Sequence, residues 1–257
     1  MFDLSGKTAI VTGASIGGLG YSMALALAEA GADVAVCDVE ARRADLETTA
    51  RAIGEAGRRA RICCFDVTDG PAVERAVQDT AREWGRLDVA VSNAGIAMPK
   101  PALEIGLDEW RHLLEVNLTG TWLFDQAVGR VMVAQRAGKI INIASQVAAI
   151  VRETPHAPYY ASKSGVLNLT RALAAEWGRA GVHVNAIAPG VFYPTRISRP
   201  TLGAQPGRLE AAAHRTMLGR VGNAAEDLKG AVVFLASAAS DYVTAHILYV
   251  DGGWTAW

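Results

Sequence analysis

Tyr159 and Lys163 stand four residues apart in Ala157-Pro158-Tyr159-Tyr160-Ala161-Ser162-Lys163. Pro158 suits the first turn of a helix, where its missing N–H costs nothing. A helix beginning there predicts the two side chains on one face, one turn apart. An ammonium beside a phenol favours the phenolate and so lowers its pKa. A free tyrosine titrates near ~10, so half-ionisation at neutrality needs a change of about 3 in pKa, roughly 4 kcal/mol. One positive charge at about 4 Å supplies on the order of 4 kcal/mol at an effective dielectric of about 20. The pair therefore predicts a tyrosine made acidic enough to exchange a proton. Tyr160 competes by adjacency, but it is three residues from Lys163 and points elsewhere on the helix.

Short β-branched runs alternate with helical patterns around this pair. Strands are predicted at Thr8–Val11, Asp33–Asp38, Arg61–Phe65, Leu87–Val91, Lys139–Ile143, Val182–Ile187 and Ile247–Val250. Helices are predicted at Tyr21–Ala30, Glu40–Ala56, Ala72–Trp84, Asp108–Gln135, Pro158–Gly178 and Ala225–Ala236. Such alternation predicts an α/β fold, a doubly wound parallel sheet with helices on both faces. Near-continuous apolar strands suit a sheet covered on both sides. No linker divides the chain, so residues 1–257 are expected to form one domain. The irregular Val191–Gly207 stretch, rich in Pro, Arg and Gly, is expected to be a functional loop, extending to about residue 215.

The chain has 257 residues, 51% hydrophobic and 20% charged, which is a globular composition. A formal net charge of -1 gives no global attraction to nucleic acid or to an anionic membrane. No apolar run is long enough to span a bilayer. The opening Met1-Phe2-Asp3-Leu4-Ser5-Gly6-Lys7 lacks the pattern of a signal peptide. Cys37, Cys63 and Cys64 give no disulfide framework and are expected to be buried thiols. No Cys/His spacing suggests zinc, and no metal site is expected. These features predict a reducing, cytoplasmic setting.

Thr12-Gly13-Ala14-Ser15-Ile16-Gly17-Gly18-Leu19-Gly20 follows the first strand and opens the first helix. Glycines there let the backbone turn tightly and approach a pyrophosphate, to which the helix N-terminus presents N–H donors. Asp38 ends the second strand, where a carboxylate can accept from an adenosine ribose and repel a 2′-phosphate. That argues for NAD. Arg42 and Arg43, just downstream, could pair with a 2′-phosphate, although as residues of a following helix they are expected to be solvated.

With these motifs in hand, the chain resembles the short-chain dehydrogenase/reductase family, classical Tyr-x-x-x-Lys type, over nearly its whole length. The resemblance implies a single Rossmann-like domain with a seven-stranded parallel sheet. Its Gly-rich turn looks like Thr12 to Gly20, implying cofactor contacts from Gly13, Ser15, Gly18, Leu19 and Gly20. Its adenine-side acid resembles Asp66, followed by Val67, in Asp66-Val67-Thr68-Asp69. Its Asn-Ala-Gly element resembles Asn93-Ala94-Gly95. Pro189-Gly190 resembles the element flanking the nicotinamide, with Thr195 as its threonine. Its helix asparagine resembles Asn117, its serine Ser145, and its tyrosine and lysine Tyr159 and Lys163. Asp251-Gly252-Gly253 resembles the family's ending.

Three departures stand out. The Gly-rich turn carries one extra residue and must bulge. The threonine after Pro-Gly comes one place late, at Thr195, behind Phe192 and Tyr193. Thr244-Ala245 stands where Thr-Gly is common.

The resemblance implies hydride transfer between a nicotinamide, NAD with NADP not excluded, and a carbinol or carbonyl carbon. Tyr159 would move the alcohol proton and Ser145 would bind the substrate oxygen. Lys163 would lower the tyrosine pKa and bind the nicotinamide ribose, and Asn117 would hold a water linking Lys163 to solvent. Candidate pocket residues are Gln146, Ala148, Arg152, Glu153, His156, Phe192, Tyr193, Arg196 and Arg199; of these Gln146, His156 and Phe192 are favoured substrate contacts alongside Ser145 and Tyr159. The mixed lining suits a polyol, sugar or sugar acid, and also a 3-oxoacyl thioester or a hydroxysteroid. A non-catalytic dinucleotide-binding module is the rival from another class. A homotetramer is implied, and the aromatic tail Gly253–Trp257 suits burial at a subunit contact.

Overall fold

The computed structural model describes residues 1–152, 154–204 and 206–257, so Glu153 lies outside the described residues. Seven strands form one parallel sheet: β1 (Thr8–Thr12), β2 (Asp33–Asp38), β3 (Ala60–Cys64), β4 (Val89–Ser92), β5 (Gly138–Ile143), β6 (Val182–Pro189) and β7 (Ile247–Val250). Their order is β3-β2-β1-β4-β5-β6-β7. The chain leaves β1 in one direction and returns beside it as β4, so a crevice opens at the carboxyl ends of these two strands.

Alternating strand residues bury opposite faces. Ala9, Val11, Val34, Val36, Val89 and Val91 pack toward α1 (Leu19–Glu29), α2 (Arg43–Glu55) and α9 (Lys229–Ala236). Ile10, Ala35, Cys37, Ala90 and Ile140 pack toward α3 (Gly70–Trp84), α5 (Gly120–Gln135) and α6 (Ala157–Trp177). The same alternation corrects the expectation of three buried thiols. Cys37 and Cys63 share one face and are buried, whereas neighbouring Cys64 turns to the other and is half-buried.

Several boundaries differ from the sequence reading. The expected Asp108–Gln135 helix is broken into α4 (Leu107–Leu114), a π-turn at Glu115–Thr119, and α5. The wider turn swings Asn117 inward, and such insertions gather at functional sites. The expected Ala225–Ala236 helix begins only at Lys229. Asn223 and Asp227 explain the delay: Asn223 Oδ1 accepts from Ala225 N at 2.9 Å, and Asp227 Oδ2 from Asn223 N at 2.7 Å, holding the segment in turns. The loop after β6 contains two short helices, α7 (Arg199–Leu202) and α8 (Arg208–His214), and Phe192–Tyr193 pairs with Gly222–Asn223. At the Thr244-Ala245 departure, Ala245 takes the left-handed backbone (φ 59) that a glycine would take without cost.

Beneath the crevice lies Asp125 of α5, fully buried. Ser92 Oγ donates to its Oδ1 at 2.6 Å, while Oδ2 has no partner among the described residues. Burial pushes this carboxyl up to about 7 from 3.8. The folded chain thus binds the proton more tightly than the unfolded one. The stability this contributes is complete below the unfolded value and is lost as pH rises through about 7. Asp125→Asn should flatten that dependence and raise stability at pH ~8 by on the order of 4 kcal/mol, because each pKa unit is worth about 1.4 kcal/mol. Urea unfolding at acidic and alkaline pH checks it; an unchanged slope for the variant would assign the pH dependence elsewhere.

Candidate active site

A cleft of about 870 Å³ lies across the carboxyl ends of β1, β2, β4, β5 and β6. Gly13, Ser15, Gly18 and Leu19 line one end. Gly20 stands behind them rather than in the cleft. A methyl there would lie 2.5 Å from Asn93 Nδ2 and nearer still to the Gly13 carbonyl oxygen, so the bare residue lets helix and turn meet. Asn93 Nδ2 donates to the carbonyls of Thr12 (2.9 Å) and Gly13 (3.0 Å), and the Asn93 and Ala94 amides donate to Thr12 Oγ1. The Asn-Ala-Gly element therefore clasps the end of β4 to the turn after β1.

The extra residue of the turn is accommodated at Ile16-Gly17. Arg196 holds this bulge: its amide donates to the Gly17 carbonyl at 2.7 Å, and its guanidinium donates to the Ile16 carbonyl and pairs with Asp45 at 3.4 Å. Arg196 is thus neither a solvated loop arginine nor an unpaired anion receptor. Thr195 is buried in the same segment, its Oγ1 and amide both bonded to Ser198 Oγ at 2.8 Å.

These residues fit a dinucleotide. The N-terminus of α1 has no side-chain cap and no acidic residue in its first turn, and the buried Ser15 hydroxyl has no partner among the described residues. A phosphate would satisfy both. Farther along, Asp38, Asp66 and Val67 line the cleft. Asp38 Oδ1 accepts from Val39 N at 2.9 Å, and Asp66 Oδ1 accepts from the Thr68 amide and hydroxyl. Arg43 is solvated as expected, pairing with Glu40. Arg42 is exposed as well, pairing with Asp45 at 3.5 Å, but the helical turn Glu40–Arg42 also sets it on the rim of the cleft that Asp38 lines. An acceptor for a ribose hydroxyl and a cation for a 2′-phosphate therefore stand together.

At the other end, α6 brings Tyr159 and Lys163 beside Ser145, which follows β5, and all three line the cleft with Gly95, Pro189 and Gly190. Asn117 is fully buried: its Oδ1 accepts from Ile96 N (2.8 Å) and its Nδ2 donates to Ile96 O (2.9 Å) and Ser162 Oγ (3.3 Å). A methyl on Gly95 would lie 3.2 Å from Asn117 Oδ1 and 3.6 Å from Lys163 Nζ, so this glycine leaves the room between them.

The electrostatics correct the sequence reading. Lys163 is 4% exposed and its Nζ donates to the Ile143 carbonyl at 2.7 Å. The ammonium lies 5.8 Å from the centre of the Tyr159 ring. Burial pushes the Tyr159 phenol up rather than down, outweighing the Ser145 hydrogen bond and the Arg152 charge, which pull it lower. Burial also lowers Lys163 to about 8. Desolvation penalises phenolate and ammonium alike, and the ammonium is tied to a backbone carbonyl rather than set at the phenol oxygen.

Tyr160 has another task. Its phenol accepts from the Arg152 amide at 3.1 Å and donates to the Arg152 carbonyl at 3.2 Å, anchoring the loop before α6. Of the substrate candidates, His156 and Phe192 line the cleft, although Phe192 is also buried against Gly222. Gln146 does not: its side chain turns toward Gly190, where a methyl would lie 3.1 Å from its Oε1. It takes the buried side of the turn that Ser145 caps. Ala148, Tyr193 and Arg199 also fall outside the lining, the Tyr193 phenol being turned toward Gly203. Ile96, His112 and Thr154 line the cleft unforeseen. Ile96 was within reach, as the residue following Asn93-Ala94-Gly95; His112 carries no local signal. In the tail, Trp254 is buried within its own chain against Val191 and Ala212, while Trp257 is exposed and donates to the Arg215 carbonyl at 3.1 Å.

A family model described as Enoyl-(Acyl carrier protein) reductase matches residues 13–255. The 5-keto-D-gluconate 5-reductase of Escherichia coli (strain K12) is 38% identical over 253 residues, covering 98% of this chain and 97% of that protein. The chain belongs to the short-chain dehydrogenase/reductase family. This dehydrogenase/reductase is an enzyme that moves hydride between a nicotinamide dinucleotide and a CH–OH group. The galactitol 2-dehydrogenase (L-tagatose-forming) of Cereibacter sphaeroides is 41% identical over 258 residues, covering 100% of this chain and 98% of that protein. A crystal structure of a gluconate 5-dehydrogenase from Burkholderia cenocepacia J2315, in complex with NADP and tartrate, superposes with a TM-score of 0.92. It is 39% identical and the match covers 100% of this chain and 98% of that one. Among the described residues no helix is long and apolar enough to cross a membrane, and no His/Cys/Asp/Glu cluster could hold a metal.

Proposed function

We propose that the enzyme interconverts a secondary alcohol and a ketone on a polyol, sugar or sugar acid. The observation that carries this is the convergence of Ser145, Tyr159 and Lys163 in one cleft with the Gly-rich turn. The relatives act, by their names, on 5-ketogluconate, gluconate and galactitol, all polyhydroxy compounds.

In this reading Ser145 Oγ hydrogen-bonds the substrate oxygen and sets it against Tyr159. The Tyr159 hydroxyl takes the alcohol proton in oxidation and returns it in reduction. Lys163 binds the nicotinamide ribose, while the Ser145 hydrogen bond and the Arg152 charge are what favour phenolate against burial. Asn117, swung inward by the π-turn, helps hold a water that links Lys163 to solvent. Gly13, Ser15, Gly18 and Leu19 hold the pyrophosphate, Asp38 the adenosine ribose, and Asp66 with Val67 the adenine. Asn93, Ala94, Gly95, Pro189, Gly190 and Thr195 border the nicotinamide half. The dinucleotide supplies the hydride acceptor or donor. NAD is the expected partner through Asp38, with NADP admitted through Arg42. The chain works as one domain in which residues 191–215 form the substrate loop, in the cytoplasm and as a homotetramer.

The test is a panel of galactitol, D-threitol and gluconate assayed with NAD and with NADP. Turnover of at least one of them supports the reading. Turnover confined to 3-oxoacyl thioesters or hydroxysteroids, or bound cofactor with no turnover of anything, would overturn it.

A further inference from the structure

The substrate end of the cleft holds a cation, Arg152, that no carboxylate among the described residues answers. Arg152 lines it, and among the described residues no Asp or Glu lies within ion-pair distance. Nor is it a solvated surface arginine. Its Nε is buried without a hydrogen-bond partner, and its guanidinium carbon lies 5.7 Å from the centre of the buried Trp254 ring. A cation–π contact of this kind helps hold the guanidinium against the ring and leaves N–H groups for an anion. The backbone is fixed as well, since the Tyr160 phenol binds both the Arg152 amide and its carbonyl. The site is thus built from three separate stretches: the loop after β5, the first turn of α6, and the tail after β7.

His156 closes the other side. It is 9% exposed, its Nδ1 is buried without a partner, and its ring centre lies 6.0 Å from that of Tyr159. Burial and the Arg152 charge both hold its pKa below the usual range, so it stands as a neutral imidazole able to meet a hydroxyl. Arg152 and Tyr159 line the same cleft on either side of His156, and the Arg152 charge lowers the Tyr159 pKa. A buried donor without a partner costs free energy until a ligand supplies the acceptor.

We propose that Arg152, held over the Trp254 ring and lining the cleft with His156, forms a carboxylate subsite, so that the substrate is a polyhydroxy monocarboxylate rather than a neutral polyol. The inference rests on the function proposed above and narrows its substrate class. Charge-assisted bidentate pairing is what a guanidinium offers a carboxylate and cannot offer a hydroxymethyl group.

The experiment compares kcat/KM for gluconate and galactitol, both six-carbon chains, in wild type, Arg152→Gln and Arg152→Lys. Calorimetry of gluconate binding to the cofactor-loaded protein runs alongside. Wild type should prefer gluconate. Arg152→Gln should cut that preference by roughly 10- to 100-fold, mainly through KM, and Arg152→Lys should restore part of it. A gluconate-to-galactitol ratio unaltered by Arg152→Gln would overturn the subsite while leaving the polyol reading intact. A clear preference for a sugar phosphate over both would also overturn the carboxylate assignment. Should no polyhydroxy compound be turned over, the proposed function fails, and calorimetry still decides the subsite. Binding of gluconate to wild type but not to Arg152→Gln would sustain it; no binding to wild type would remove it.

Discussion

Tyr159→Phe should leave the fold and cofactor binding intact and lower kcat by a factor of roughly 10²–10⁴. The change removes one oxygen from a side chain whose ring packs beside Lys163 and His156, so the cleft keeps its shape. What disappears is, among the described residues, the one phenol in the cleft free to face substrate, because Tyr160 is spent on the Arg152 backbone. Burial pushes the Tyr159 phenol up in this cleft, so its ionisation depends on positive charge being brought to it. Cofactor titration by fluorescence and steady-state rates on one accepted alcohol separate the two effects. Retained turnover would remove Tyr159 as the proton-transfer group; lost cofactor binding would make it a structural residue.

A methyl at Gly20 should do damage of another kind. It would lie 2.9 Å from the Gly13 carbonyl carbon and nearer still to the Gly13 oxygen, both backbone of the turn itself, and 2.5 Å from the Asn93 Nδ2 that clasps that turn. The turn must move, and the Asn93 clasp that joins β1 to β4 must loosen with it. Overpacking of this order costs about 1–3 kcal/mol. Gly20→Ala should lower stability by that amount in urea unfolding and weaken cofactor affinity roughly 10- to 100-fold, with a smaller effect on the KM of the alcohol. An unchanged affinity would mean that the turn tolerates displacement and that Gly20 serves helix packing alone.

Part of the candidate site was legible because its signals are local. Pro158 and the four-residue interval of Tyr159 and Lys163 are read within a single helix, and that helix forms. The Gly-rich turn is read from its position between a strand and a helix, and its one extra residue is counted there too; the structure takes it up at Ile16-Gly17. What failed were inferences about direction. Gln146 and Ser145 are neighbours, yet one turns into the protein and the other into the cleft. Arg42 and Arg43 are both exposed as expected, yet only Arg42 also borders the cleft. The phenol's pKa could not be read from spacing, because spacing states the charge and omits the desolvation that opposes it.

The sequence by itself determined the parallel sheet, its two packed faces and the order of the motifs along the chain. These rest on periods of two and 3.6 residues and on turn chemistry confined to a few neighbours. Only the tertiary structure decided which groups meet: Arg196 with Ile16, 180 positions apart, Arg152 with Trp254, and Lys163 with the Ile143 carbonyl. Contacts of that range are set by how whole elements pack, and packing, with the burial it imposes, determines both the direction of a side chain and the charge it can hold.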